Sequence, residues 1–199
     1  MRKLCLATRN PGKLRELRSL LRNCGFHLAS LDQLGVSEDV EESGSTFAEN
    51  AALKARAYAR SAGVLTLADD SGLEVDVLGG KPGIYSARFS PKPGATDADR
   101  RAYLLGLLHN RPQHWNARFR CIAALANPAG EVYFAEGVCE GEIIADERGQ
   151  NGFGYDPIFF LPKLGRTMAE LSMAEKNRLS HRARAIMAIR PTLDRLRGA

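Results

Sequence analysis

The sequence predicts an α/β fold in which a mixed central sheet is flanked by helices. Short strand-like runs alternate with amphipathic helical patterns along the 199 residues, an order typical of this fold class. Two strand-like runs joined by "NPAGE" indicate a hairpin, which makes the sheet mixed instead of purely parallel. No repeat or linker-like tract interrupts the pattern, so we expect a single domain over residues 1–199.

The individual elements follow from local patterns. Leucines at helical spacing predict the first helix, and Thr-x-x-Glu and Thr-x-x-Asp capping patterns start the next two. The predicted elements are a strand over 2–8, helices over about 12–22, 46–61 and 96–109, a strand over 63–69, a strand or loop over 72–83, hairpin strands around 117–125 and 131–139, and helical segments from about 172 onward.

Composition limits the possible functions. Four cysteines lie far apart without a CxxC pair, which indicates reduced thiols in a reducing compartment. No secretory signal and no stretch of the roughly 20 apolar residues of a membrane span is apparent. We therefore expect a cytoplasmic protein without a membrane partner. Histidine spacing does not suggest zinc, so any metal should be hard and bound by oxygen.

The net charge of +5 is concentrated near the end of the chain, where residues 163–199 carry nine Lys or Arg and three Asp or Glu. Such a distribution suits either a polyanionic ligand or a nucleic-acid surface. A solvent-exposed helix face rich in arginine would give the same charge distribution without binding any ligand.

Two adjacent carboxylates stand in "LADDSGLEVDV" (67–77). Because side chains alternate along a strand, Asp70 should share a face with Ala68, while Asp69 points the other way with Leu67. Ser71 and the glycine after it are then expected to turn the chain at the carboxyl end of the strand, where α/β sheets usually bind ligands. Asp-Asp-Ser-Gly is also ordinary turn chemistry.

The segment "ATRNPGK" (7–13) predicts a phosphate cradle. A strand ending at Thr8, a tight turn at Asn10 and a helix beginning near Lys13 would offer a hydroxyl, an amide, backbone N–H groups and an ammonium together. The alternative is an ordinary strand-to-helix turn.

A third group of residues suggests a metal site. Asn50 and Lys54 lie four residues apart and share one helix face, and Glu42 belongs to the polar loop before that helix. Glu42 and Asp70 would supply the one or two carboxylates that Mg²⁺ usually takes from a protein. The alternative is that this charged loop contacts only solvent and binds no metal.

Two later segments could bind a flat, oxygen-rich ligand. In "GFGYDPIFF" (152–160), the glycines around Phe153 let the backbone approach a ligand against which the ring could stack. In "SMAEKNRLSHRARA" (172–185), the hydrogen-bond donors are Lys176, Ser180, His181 and Arg182. The alternatives are core aromatic residues and a basic helix surface.

Taken together and in order, these motifs resemble the inosine-triphosphate pyrophosphatase family, in its bacterial dITP/XTP pyrophosphatase branch. The resemblance runs from about residue 3 to 190 over five separate motifs. It implies a mixed α/β fold with two lobes around an active-site cleft, a homodimer and Mg²⁺ dependence. The implied reaction converts dITP, ITP or XTP to the monophosphate and pyrophosphate.

The resemblance also implies residue roles. Asp70 would be the proton acceptor and, with Glu42, a metal ligand. The strand alternation, which points Asp69 away from Asp70, leaves Asp69 to hold the turn or play a secondary part. Arg9 departs from the small residue expected at its position, and Ser43 from the expected threonine. The implied substrate-binding residues are Thr8, Arg9, Asn10, Lys13, Lys54, Ser71, Phe153, Gly154, Tyr155, Asp156, Lys176, His181 and Arg182.

Two other functions are compatible with parts of this pattern. A Maf-type nucleotide pyrophosphatase would act on modified pyrimidine or guanine nucleotides, but its expected motifs differ from those quoted. A nucleic-acid-binding module would explain the basic end of the chain and would bind with steep salt dependence. It would not explain acids and lysines spread over five loops, so we expect no nucleic-acid partner.

Overall fold

The computed structural model describes residues 2–198, which contain a mixed seven-stranded sheet. The strands are β1 (Lys3–Leu6), β2 (His27–Ser30), β3 (Leu65–Val75), β4 (Trp115–Ala126), β5 (Val132–Ile143), β6 (Phe159–Leu161) and β7 (Arg166–Thr167). Their order in the sheet is β2-β1-β3-β4-β5-β6-β7. β1 is parallel to β2 and β3, whereas β6 is antiparallel to β5 and β7, so the predicted mixed sheet is confirmed.

The helices are α1 (Pro11–Leu20), α2 (Phe47–Ala62), α3 (Asp97–Leu108), α4 (Met173–Leu179) and α5 (His181–Gly198). Of these, α2 and α3 begin directly after Thr46 and Thr96, where the capping patterns predict. At α3, Thr96 and Asp99 form a complete capping box. At α2, Thr46 accepts the Glu49 backbone N–H, but the Glu49 carboxylate accepts from the N–H and hydroxyl of Ser45 instead.

Strand β3 is longer than predicted. The expectation that Ser71 and Gly72 turn the chain is wrong, because the strand continues to Val75. Leu73 and Val75 are both completely buried, and the extended conformation places them in an apolar cluster with Trp115 and other residues. The two adjacent carboxylates therefore lie inside a strand and not at its end.

The chain divides into two compact units, each with its own core. The first comprises Met1–Asp70, Cys121–Gly137 and His181–Ala199. One of its clusters contains Leu67 with residues of α1 and α5, and another contains Ala68 with residues of α2. The second unit comprises Ser71–Arg120 and Val138–Ser180, with a core that includes β3, α3, β4, β5 and β6 residues.

The predicted single domain and the predicted cleft between two lobes stay predictions.

In the part of the chain that is described, no helix combines the length and apolar character that a membrane crossing requires.

The capping box of α3 should make a measurable contribution to stability. Thr96→Ala removes the side-chain oxygen that accepts the Asp99 backbone N–H at 3.2 Å. We expect the free energy of unfolding, measured in urea, to fall by about 1 kcal/mol. Thr96→Ser should lower it much less, because serine keeps the hydroxyl oxygen that accepts this N–H. An unchanged denaturation midpoint for Thr96→Ala would contradict this role.

Candidate active site

Alternation along β3 brings its two adjacent carboxylates to different helices. Ala68 packs in the cluster that contains α2 residues, and Asp70, two positions on, contacts the side chains of that helix. Leu67 packs in the cluster with residues of α1 and α5, and Asp69 contacts side chains of those two helices. The predicted division of the two acids between opposite faces is confirmed.

Asp70 is a buried carboxylate held by α2. The Asn50 amide donates to Asp70 Oδ2 at 3.1 Å, and Lys54 Nζ lies 3.9 Å from Asp70 Oδ1. Burial raises the pKa of Asp70 above its usual value, and the nearby Lys54 ammonium opposes this only in part. A carboxylate with raised proton affinity is suited to act as a general base.

Lys54 joins Asp70 to the loop that precedes α2. Its ammonium also pairs with Glu42, while the Gly44 N–H donates to Asn50 Oδ1 at 2.8 Å and holds the loop against the helix. Burial by itself would lower the pKa of Lys54, but the carboxylates of Asp70, Asp69 and Glu42 outweigh it and raise the pKa. Lys54 is therefore a charged group beside two acids.

The carboxylates beside Lys54 are hard oxygen donors of the kind that a divalent cation such as Mg²⁺ takes from a protein. Glu42 and Asp70 both contact Lys54, so two hard carboxylates lie around one amine. Over residues 2–198 there is no group of three or more His, Cys, Asp or Glu side chains that could hold a metal. Mg²⁺ usually takes one or two carboxylates and completes its coordination with phosphates and water.

Asp69 lies in a different, cationic environment. Its Oδ2 is 3.1 Å from Lys13 Nζ and 3.1 Å from Arg182 Nη2, and the residue is only 1% exposed. Burial alone would raise the pKa of Asp69, but Lys13 and Arg182 hold the pKa far below its usual range. Asp69 thus stays ionised and anchors cations, whereas Asp70 has the higher proton affinity.

Glu16 completes this buried ion cluster and was not identified from the sequence. Arg182 Nη1 donates to Glu16 Oε2 at 2.5 Å, and both side chains are buried. A planar guanidinium can bridge two carboxylates in this way because its donors lie in a fixed fork. Glu16 follows Lys13 by three residues and so shares its helix face, which is the one local signal that could have indicated it.

The turn before α1 uses some of its own polar groups. The Asn10 side chain accepts the Lys13 backbone N–H at 3.0 Å, and Thr8 Oγ1 accepts the Asn10 N–H at 3.1 Å. Two donors of the predicted phosphate cradle are thus bonded within the turn. The Lys13 ammonium, paired with Asp69, is the charged group at this position.

Arg9 binds the segment over 32–39. Its guanidinium donates to the Asp32 and Asp39 carboxylates and to the carbonyls of Val36 and Glu38. These acceptors accommodate an arginine where the resemblance predicts a small residue. The Arg9 guanidinium, which the resemblance implies in substrate binding, is thus bonded to groups of the protein itself.

In the second unit, Asp156 organises the segment that contains Phe153. Asp156 Oδ2 accepts from the Phe153 N–H at 2.9 Å and from Lys176 Nζ at 2.5 Å, and Lys176 Nζ is 5.1 Å from the Phe153 ring centroid. Gly152 has a φ of +78°, and a Cβ there would collide with the Asp156 carboxylate. An aromatic ring and a buried ammonium are thereby held side by side.

The other predicted residues have varied surroundings. Tyr155 belongs to the core, with its hydroxyl donating to the Ser86 carbonyl at 2.9 Å, and burial raises its pKa. His181 is buried at the start of α5, and Ser71 and Gly154 are half-buried in β3 and in the 152–156 segment.

Contacts within each unit therefore assemble separate groups. The first unit brings Glu42, Lys54 and Asp70 together on one face of β3. Lys13, Asp69 and Arg182 meet on its other face. The second unit brings Phe153, Asp156 and Lys176 together.

Comparisons with known proteins agree over nearly the whole chain. The Ham1 family model matches residues 4–192. The dITP/XTP pyrophosphatase of Desulforamulus reducens is 50% identical over 195 residues, which cover 98% of this chain and 96% of the relative. That of Bacillus subtilis is 42% identical over 194 residues, 98% of each chain. The structure of a HAM1 protein from Coxiella burnetii has a TM-score of 0.88 and 42% identity, and the match covers 98% of this chain and 100% of that one. From this agreement in sequence and fold we conclude that the chain belongs to the Ham1 family.

Proposed function

We propose that this protein hydrolyses aberrant purine nucleoside triphosphates, namely dITP, ITP and XTP, to the nucleoside monophosphate and pyrophosphate. The observation that carries the proposal is the buried Asp70 carboxylate, which Asn50 orients beside the Lys54 ammonium. A base next to cationic side chains suits the attack of water on a polyphosphate. The substrate class comes from the relatives named dITP/XTP pyrophosphatase.

In the proposed reaction, Asp70 removes a proton from a water molecule as the water oxygen bonds to the α-phosphorus. The bond from the α-phosphorus to the oxygen that bridges to the β-phosphorus then breaks, and pyrophosphate leaves with that oxygen. Asn50 donates to Asp70 Oδ2 and so fixes the carboxylate plane. The raised pKa of Asp70 favours its role as proton acceptor.

The charge of the triphosphate requires cations. We assign Lys54 and Lys13 to this role, because the positive charge of each acts on the Asp70 carboxylate and opposes the rise in its pKa. Glu42 and Asp70 would hold Mg²⁺, which when bound supplies further positive charge to the phosphates.

We assign recognition of the base to Phe153, Lys176 and His181. Hypoxanthine and xanthine present a carbonyl acceptor at the six-position, where adenine presents an amino donor. Lys176 is a donor held by Asp156 beside the Phe153 ring, so it matches the carbonyl. An amino group at that position could not accept from the Lys176 ammonium, so this hydrogen bond to the base would not form.

For Arg182, the contacts favour a different role from the one predicted. Its guanidinium is bonded to Glu16 and Asp69, so we propose that it holds these acids and does not contact the base. The homodimer, the cytoplasmic location and the absence of a nucleic-acid partner stay predictions.

A panel of nucleoside triphosphates tests the proposed function directly. With Mg²⁺ present, the purified protein should release pyrophosphate from dITP, ITP and XTP, and removal of the metal with a chelator should abolish release. ATP should be slower by roughly four to five orders of magnitude, because a polar site rejects an analogue that leaves its donors unpaired. GTP, which keeps the six-carbonyl, should show weak hydrolysis. ATP turnover equal to that of ITP, or release of inorganic phosphate alone, would refute the proposal.

The two adjacent acids should respond differently to the same change. Asp70→Asn should lower kcat for ITP by about two to four orders of magnitude without unfolding the protein, because it removes the general base. Asp69→Asn should lower the free energy of unfolding by about 3 kcal/mol, because it leaves buried cations uncompensated. Asp76→Asn is the control, since Asp76 is a half-exposed acid paired with Arg118. Near-normal kcat in folded Asp70→Asn would rule out this assignment.

Lys54 is expected to bind phosphate and not the base. Lys54→Ala should therefore raise KM for ITP and XTP by the same factor, about tenfold or more, as expected for a lost charged hydrogen bond. Lys13→Ala should behave similarly, with an additional loss of stability through Asp69. The exposed Lys163, replaced by alanine, is the control. A change in the ratio of ITP to XTP hydrolysis would show that these lysines contact the base.

A further inference from the structure

We infer that Asp97 and Arg101 of α3 are positioning residues that hold the loop over 152–156 in the conformation that selects the base. This inference rests on the proposed function, because it concerns how that same site recognises its substrate. Neither residue was indicated by the sequence motifs. Both lie in the second unit with the loop they contact.

Both backbone polar groups of one loop residue are bonded to α3. Asp97 Oδ2 accepts the Gly154 N–H at 2.7 Å, and Arg101 Nη1 donates to the Gly154 carbonyl at 2.8 Å. The two side chains are four residues apart and therefore lie on one face of the helix. Asp97 and Arg101 together hold Gly154, the residue that follows Phe153, and we call this pair of side chains the clamp.

The clamp residues are themselves held by charge. Arg101 makes two hydrogen bonds of 2.8 Å to the carboxylate of Glu147, and its side chain is mostly buried. Asp97 also pairs with Arg100. Burial by itself would raise the pKa of Asp97, but the Gly154 N–H and the Arg100 guanidinium outweigh it and lower the pKa. Capping of α3 does not require these contacts, since Thr96 and Asp99 already provide the capping box.

The clamp acts on the position of the Phe153 ring. Asp156 bonds the Phe153 N–H, while Asp97 and Arg101 bond the next residue, so the backbone on both sides of the ring is fixed. The ring centroid lies 5.1 Å from Lys176 Nζ. If Gly154 moves, the stacking surface shifts relative to the ammonium that would read the base. Selectivity among bases should then fall while phosphate binding is unaffected.

The test compares Asp97→Ala and Arg101→Ala with Asp76→Ala and Arg118→Ala. The control residues Asp76 and Arg118 form an Asp–Arg ion pair of the second unit, and neither has a hydrogen bond or ion pair to the described residues 152–156. Asp97→Asn serves as a milder variant if the alanine change destabilises the protein. For each protein, amide hydrogen exchange over 153–156, the Kd for inosine monophosphate and the inhibition constant for pyrophosphate are measured.

We expect faster exchange over 153–156 and about 5- to 20-fold weaker binding of inosine monophosphate in the clamp variants, as for one or two lost hydrogen bonds. Pyrophosphate inhibition should change by less than about twofold, and the ITP to GTP rate ratio should fall. The double variant should resemble the single ones, because both residues act on one loop.

Three results would overturn the inference. The first is that the clamp variants show the same amide exchange over 153–156 and the same affinity for inosine monophosphate as the control variants. The second is a parallel loss of inosine monophosphate and pyrophosphate binding, which would mark a general structural defect. The third is faster exchange with unchanged base selectivity, which would separate the clamp from recognition. A wild-type protein that releases no pyrophosphate from ITP would instead refute the proposed function, and the exchange data would still decide whether the clamp exists.

Discussion

Two adjacent carboxylates can be buried in one strand here because successive side chains of β3 point to opposite faces of the sheet. Like charges in a buried site would otherwise repel, and each would need its own compensation. Asp69 obtains it from Lys13 and Arg182, and Asp70 from Asn50 and Lys54. The alternation thus separates an anchoring acid from an acid with raised proton affinity, although the two are covalent neighbours.

The ion cluster around Asp69 ties three elements of the first unit together. Arg182 at the start of α5 bridges Asp69 of β3 and Glu16 of α1. Buried ion pairs add little net stability relative to apolar packing, but removing one partner leaves an uncompensated charge. The cluster therefore fixes where α1 and α5 lie against β3, and with them the Lys13 ammonium. Mutations that disturb it should affect folding and phosphate binding together.

In the second unit, hydrogen bonds from side chains fix the position of a backbone segment. The loop over 152–156 contains glycines at positions with positive φ, which leave the segment few side chains with which to hold itself. Asp156 bonds it from within, and Asp97 and Arg101 bond it from α3. These hydrogen bonds from surrounding side chains hold the glycine-containing loop in place.

Much of the fold could be predicted from sequence because the determining signals are local. The caps at Thr46 and Thr96, the hairpin and the alternation at Asp69 and Asp70 each depend on residues a few positions apart. The full length of β3 depends instead on the burial of Leu73 and Val75. It was not predicted, because Asp-Asp-Ser-Gly is typical of a turn. The partners of Arg182 also required the tertiary structure, since Asp69 and Glu16 are 113 and 166 residues away in the chain. The sequence by itself determined which charged groups exist and where the elements begin; only packing decided which charges meet, because a buried charge is paired by whatever the fold brings beside it.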